Sequence, residues 1–455
     1  MEEYENVIIG FGKGGKTLAA ALAGRHQKTA LIEKSSLMYG GTCINVACIP
    51  SKSLENSARQ SRAQGGSFEQ KAQRYKAAIE EKRRLTGALR KKNYEKLLQA
   101  GVQIIDGEAS FTGPHTLSVK TEGGSIEIGG KRIFINTGSL PFMPPIPGLK
   151  ESPHVYTSET MMEVEELPAE FVIIGGGYIG LEFASYYCNF GSHVTIIQDS
   201  EAFIPREDSE TAAAVLESMT KRGISVLRSA KILSVSDSGG RAFVKVEAGG
   251  AVREIPADAI LAATGRRPNI AALNLSAAGI AAGERGAVRV DEMLRTNVGN
   301  IWAMGDAAGG LQFTYISLDD SRIAKSQLLG DGSRNTANRG AVPYSVFIDP
   351  PLSRVGLTEA EARERGRNVK LALLPAAAIP KAQVLRSTDG LLKAVVDADS
   401  GEILGAHLFC AESHELINLI KLAMDARLPY TVLRDAIYTH PTMSEALNDL
   451  FATLK

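Results

Sequence analysis

A chain of 455 residues, 44% hydrophobic and 22% charged, has the make-up of a soluble globular protein and is long enough for about three domains. Lysine plus arginine equals aspartate plus glutamate at 51 each, which argues against nucleic acid or an anionic membrane surface as a partner. Four cysteines are too few for a secreted disulfide scaffold, no apolar run reaches the roughly 18 residues of a membrane span, and the opening M-E-E-Y-E-N lacks the basic region of a signal peptide, so a cytoplasmic protein is expected.

In chain order, Val7-Ile8-Ile9 reads as a strand, Gly10 to Gly15 as a turn, Thr17 to Ala23 as helix, and Thr29 to Ile32 as a second strand ending on Glu33. Residues 53–100, dense in Ala, Glu, Lys, Arg, Gln and Leu, predict one or two exposed helices. A stretch of hairpin character follows, punctuated by Gly123-Gly124 and Gly129-Gly130, and then a connector, Pro141 to Gly148, with four prolines. The opening order then recurs: Phe171 to Ile174 as strand, Gly175 to Gly180 as turn, a helix through Tyr187, and His193 to Ile197 ending on Gln198. This is a duplicated βαβ unit. Short strands and turns lead from Gly265 to Asp306, a helix covers Leu318 to Leu329, residues 330–340 form a polar linker, and a third domain starts near Ala341.

One G-x-G-x-x-G is weak evidence, but Gly10, Gly12, Gly15 and Gly175, Gly177, Gly180 both stand between a strand and a helix. Such glycines let the backbone approach a pyrophosphate at a helix N-terminus. Ala19 and Ala184, four residues past the third glycines, allow close helix–strand packing, and Glu33, 18 residues past Gly15, suits a ribose hydroxyl. Cys43 and Cys48 in G-G-T-C-I-N-V-A-C-I-P-S-K (40–52) are spaced to close a small ring beside a cofactor; half a zinc site and two core thiols are the other readings. Zinc would need two further ligands, and Cys188 and Cys410 lie far off in the chain. Cys188 reads as a buried thiol, and Cys410 with His414 as core packing rather than a two-ligand metal site.

The segments 40–52, A-T-G-R-R-P-N (263–269), N-I-W-A-M-G-D-A (300–307) and H-P-T-M-S-E (440–445), in that order, resemble the pyridine nucleotide–disulfide oxidoreductase family over nearly the whole chain. The stretches 7–19, 309–320, 342–347 and 350–356 are most similar to its reactive-chlorine-resistance branch, which is related to the mercuric reductases. The resemblance implies an α/β fold of two Rossmann-like domains, FAD-binding (1–149 with 266–340) and NAD(P)-binding (150–265), plus a C-terminal α+β dimerisation domain (341–455).

It further implies an enzyme using FAD and NAD(P)H, with Cys43 and Cys48 as a redox disulfide. Cys48 is then the thiol beside the flavin and Cys43 the one that attacks the acceptor. Lys52 and Glu182 resemble the ion pair near the flavin, and Asp306 the carboxylate on its ribityl chain. Gly41, Thr42, Gly138 and Gly265 are further cofactor-binding candidates. His440 and Glu445 resemble a proton-shuttling dyad that serves the other subunit of a homodimer.

Gln198 takes in the second unit the place that Glu33 has in the first, so NADH against NADPH stays open, with a tilt toward tolerating NADPH. Tyr438 stands where lipoamide enzymes tend to carry a second histidine, and the C-terminal cysteine pair of mercuric reductases is absent. The expected acceptor is therefore a small oxidant, a metal ion such as Cu(II) ahead of Hg(II). Alternatives are a lipoamide dehydrogenase, a glutathione-type reductase, or a flavin–disulfide redox sensor.

Overall fold

A computed structural model describes residues 1–283 and 286–454. The strand Glu2–Ile9 lies at the centre of a parallel array, flanked by Thr29–Glu33 and by Gly124–Ile135, with Gln103–Asp106 outside Thr29–Glu33. Val7, Ile8 and Ile9 are all buried, as a strand covered on both faces requires. Along its other edge Gly124–Ile135 has two partners in succession. Its first half pairs antiparallel with Thr116–Thr121, and its end pairs parallel with Ile301–Ala303. That last pairing brings the residues around Asp306 back to the first glycine-rich turn.

The second unit repeats the plan with five parallel strands in the order Ser225–Leu227, His193–Ile197, Glu170–Ile174, Ala259–Ala262, Val155–Thr157. In both units the third glycine permits contact between helix and strand. A Cβ on Gly15 would lie 2.8 Å from the Gly10 carbonyl oxygen, and one on Gly180 would run into the Gly175 carbonyl. Ala19 and Ala184 are fully buried beneath them.

Residues 53–100 fall into two helices, Cys48–Gln64 and Phe68–Gln99, the second opened by a reciprocal cap between Ser67 and Gln70. Neither is wholly exposed. Leu54, Ala58, Tyr75 and Ile79 share one core with Phe171, Tyr187 and Phe190 of the second unit and with Val346 and Leu352 beyond it. The C-terminal segment is a five-stranded antiparallel sheet, Tyr344–Val346 through Leu352–Gly356, Ile403–Phe409 and Leu391–Asp397 to Val369–Pro375, with the helices Ser413–Asp425 and Ala446–Ala452 packed into its core.

The hairpin turn falls at Gly123-Gly124 as expected, but Gly129-Gly130 lies inside a strand. A Cβ there would run into the Glu3 carboxylate and crowd Val7, so the pair marks a close approach between strands. Cys410 follows the end of the strand Ile403–Phe409 rather than starting a helical turn with His414, and it is fully buried. Cys188 is only partly buried, its thiol donating to the Arg222 carbonyl at 3.3 Å. No helix among the described residues is long and apolar enough to cross a membrane.

Candidate active site

A continuous cleft of about 2430 Å³ runs between the two βαβ units. Its wall includes Gly10, Gly12, Glu33, Gly41, Thr42, Cys43, Cys48, Lys52, Gly138 and Asp306, and across from them Gly175, Gly177, Glu182, Gln198 and Gly265. Gly15 and Gly180 stand behind the turns, off the wall. His440 and Glu445 are elsewhere: Glu445 Oε2 lies 2.8 Å from His440 Nδ1, and the imidazole is 71% exposed.

The first helix is positioned by side chains from far along the chain. Gly15 N donates to Asn136 Oδ1 at 2.8 Å, and Gly14 N to Ser317 Oγ at 3.1 Å. With those two N–H groups taken, Gly12, which has no side chain, and Lys13 are the part of the helix start that lines the cleft, where an anion can approach. Gly41, at φ +84°, packs so tightly that a Cβ would sit 2.7 Å from Gly12 Cα, which presses the cysteine loop onto the turn. Glu33 accepts from Phe11 N at 3.0 Å and from Ser35 N at 3.2 Å, and Asp306 accepts from Ser139 Oγ at 2.6 Å. The Thr137 hydroxyl is buried with no partner among the described residues. A helix start open to the cleft at Gly12 and Lys13, a bare glycine turn, an acidic residue at each end and an orphaned hydroxyl fit a dinucleotide such as FAD. The second turn is alike: Gly177 caps its helix without a side chain, and a Cβ there would meet open space.

The two cysteines are chemically unequal. Cys48 opens the helix Cys48–Gln64, while Cys43 sits in the short helix Thr42–Asn45 before it. Its hydrogen bond with Cys48, together with burial, pushes the Cys43 thiol well up. The same hydrogen bond, with Thr314 Oγ1 at 3.5 Å and the Lys52 ammonium, brings the Cys48 thiol down to about 6. Lys52 Nζ meets Glu182 Oε2 at 2.6 Å and lies 4.6 Å above the Phe347 ring, and Phe347 N donates to Glu182 Oε1 at 2.9 Å.

Thr314, Asn136, Ser317 and Phe347 were not singled out in the sequence. Nor was the group in which Tyr178 and Tyr344 both donate to Glu207 Oε1, at 2.5 and 2.6 Å. Thr314 and Ser317 lie in the stretch 309–320, Tyr344 and Phe347 in 342–347, and Asn136 precedes a Thr137-Gly138 pair that recurs as Thr264-Gly265. Among the described residues no group of three or more His, Cys, Asp or Glu side chains is arranged to hold a metal ion.

Residues 4–321 match the family model described as pyridine nucleotide-disulphide oxidoreductase, and residues 342–451 match that family's dimerisation domain. The chain is 48% identical to the probable pyridine nucleotide-disulfide oxidoreductase RclA of Escherichia coli, over the full length of both. It is 34% identical to the mercuric reductase of Bacillus cereus, over 98% of this chain and 70% of that one. Among solved structures, the Cu(II) complex of the HOCl-induced flavoprotein disulfide reductase RclA from E. coli superposes with a TM-score of 0.94 at 48% identity, covering all of both chains.

Proposed function

The chain belongs to the pyridine nucleotide-disulphide oxidoreductase family, and from that premise we propose an NAD(P)H-dependent flavoprotein that reduces Cu(II) through Cys43 and Cys48. Family membership makes it a flavoprotein oxidoreductase; the acceptor and the roles of single residues are our reading. On it, residues 1–149 with 266–340 hold FAD, 150–265 hold the nicotinamide nucleotide, and 341–455 join two copies. The first glycine turn meets the FAD pyrophosphate, Glu33 a ribose, and Asp306 the ribityl chain. Bound there, FAD supplies two-electron chemistry, accepting hydride from NAD(P)H and passing the electron pair to the cysteine pair.

The remaining work belongs to the side chains. Lys52, held by Glu182, keeps a positive charge beside Cys48 and favours its thiolate. Cys43 keeps its proton until an acceptor arrives, and His440 of a second copy, oriented by Glu445, takes it. The observation that carries the reading is the setting of the pair: Cys43 and Cys48 both stand on the cleft wall, with Thr314 Oγ1 at 3.5 Å from Cys48 and the Lys52–Glu182 pair beside them. The Cu(II) complex of the 48% identical RclA supports the choice of acceptor. The balance is NAD(P)H plus two Cu(II) giving NAD(P)⁺, a proton and two Cu(I).

The experiment measures Cu(I) formation and NAD(P)H oxidation together, against lipoamide, glutathione disulfide and Hg(II) as rival acceptors. Cu(II) should be the faster acceptor, and Cys43→Ser should abolish the coupled reaction. Faster turnover of lipoamide, or an unimpaired Cys43→Ser enzyme, would overturn the metal assignment.

A further inference from the structure

The backbone crosses between the two βαβ units twice, and the crossings pair with each other. Ser139–Pro141, on the way out, lies antiparallel to Arg266–Pro268, on the way back. Arg266 reaches across this pair. Its Nε donates to Ser139 Oγ at 2.9 Å, and one terminal nitrogen donates to the Ser139 carbonyl at 2.7 Å and to Glu159 Oε1 at 2.9 Å. Glu159 stands on the helix Ser158–Met161, just after the strand Val155–Thr157 of the second sheet, and the Arg266 side chain is 11% exposed. A serine hydroxyl has one proton to give. Ser139 gives it to Asp306 Oδ2 at 2.6 Å, the length of a charge-assisted bond, so its oxygen is left to accept from Arg266. Donation therefore runs one way, from guanidinium through hydroxyl to carboxylate. Among the described residues Asp306 Oδ1 accepts no hydrogen bond, and Asp306, Ser139, Arg266 and Glu159 all line the cleft.

We infer that Ser139 and Arg266 are positioning residues for the flavin: Arg266, neutralised by Glu159, holds the Ser139 hydroxyl with its proton on Asp306 and so fixes that carboxylate for the ribityl chain. This rests on the reading that Asp306 meets the ribityl chain. The carboxylate needs such a support. It stands on the short turn Gly305–Ala308, where Gly305 has φ +65° and its N–H is fixed separately by Asp320 Oδ2 at 2.7 Å. The backbone of the turn is thus anchored by the helix Thr314–Leu329, and the Asp306 side chain by the crossing strands. A hydroxyl rotates freely, but with its lone pair engaged by Arg266 its proton is left for the carboxylate. An acceptor already fixed before the flavin arrives loses less freedom on binding it.

The test measures FAD release from the holoenzyme by the rise of free-flavin fluorescence on dilution. It is repeated on apoenzyme reloaded with an FAD analogue whose ribityl hydroxyls are replaced by hydrogen. Ser139→Ala and Arg266→Met should each speed release of FAD about tenfold. The double variant should be no more than about tenfold faster than wild type, because both side chains act on one carboxylate. Neither substitution should speed release of the analogue, which offers Asp306 no hydroxyl. Equal acceleration for FAD and analogue would mean that the pair only ties the crossing strands together, and the inference would fall. It would fall equally if the two substitutions multiplied to about a hundredfold, since they would then act independently. Should Arg266→Met not fold with Glu159 left unpaired, Ser139→Ala decides alone, from its effect on the two flavins. Asp306→Ala tests the premise separately. If it leaves FAD release unchanged, the ribityl reading fails; if it speeds release and Ser139→Ala does not, only the inference about Ser139 and Arg266 fails.

Discussion

Gln198 shows how one side chain can be right in place and different in chemistry. It sits 18 residues beyond Gly180, as Glu33 does beyond Gly15, and both line the cleft. Yet Glu33 takes backbone N–H groups, whereas Gln198 donates, its Nε2 reaching Ser200 O at 2.8 Å and Ala202 O at 3.0 Å while its Oε1 lies against Gly176. The amide closes the loop that carries Arg206 to the cleft. A carboxylate at this position gains a ribose acceptor and repels a 2′-phosphate, but it also faces two carbonyls. Gln198→Glu should therefore lower kcat/KM for NADPH by about tenfold or more, from repulsion on the order of 1–3 kcal/mol, with little gain for NADH because the loop loosens. Steady-state kinetics with both nucleotides checks this, and an unchanged ratio would mean that residue 198 does not face the 2′ position.

At the scale of elements, two helix N-termini converge on one sulfur. Cys48 is the first residue of Cys48–Gln64, and Thr314, at 3.5 Å from its Sγ, is the first of Thr314–Leu329. Helix starts favour anions, which adds to the hydrogen bond from Cys43 and the charge of Lys52. Because the folded thiol titrates below its ordinary value, the thiolate of the reduced enzyme persists above about pH 6 and is lost as the pH falls through it. The stability it lends the reduced fold is complete above the thiol's unfolded value and vanishes over the same descent. Thiolate ultraviolet absorbance of the reduced protein should follow that titration, and Thr314→Val should raise its midpoint by on the order of half a unit to one unit; no change would remove Thr314 from the site. The first helix of this pair was legible, since C-x4-C and the glycine turns are local patterns. Thr314, Ser317 and Asn136 were not, because they act across the fold: Gly14 and Ser317 are 303 residues apart. Gly129-Gly130 misled for the same reason, its small residues answering to Glu3 and Val7 on another strand rather than to a turn.

For the whole molecule, the decisive fact is what one chain leaves apart. Every candidate from Gly10 to Asp306 gathers on or just behind one cleft, but the His440–Glu445 pair is off its wall, with the imidazole exposed. The C-terminal segment also exposes Leu422 at 62% and Ile437 at 100%, apolar surface of the kind that a second copy covers, and residues 342–451 match a dimerisation domain. A two-fold dimer in which each His440 serves the other chain's Cys43 accounts for both. The consequence is complementation between two inactive proteins. On the proposed roles, Cys43→Ser homodimers lack the attacking thiol and His440→Gln homodimers the base, which should cost about a hundredfold or more in kcat. In a mixed dimer, the intact cysteines of one chain meet the intact histidine of the other at a single site. Co-expressed, differently tagged chains purified as heterodimers should then recover about half the wild-type activity per dimer. If each histidine served its own chain, both sites of the mixed dimer would lack one partner, and activity would stay at the level of the separate mutants.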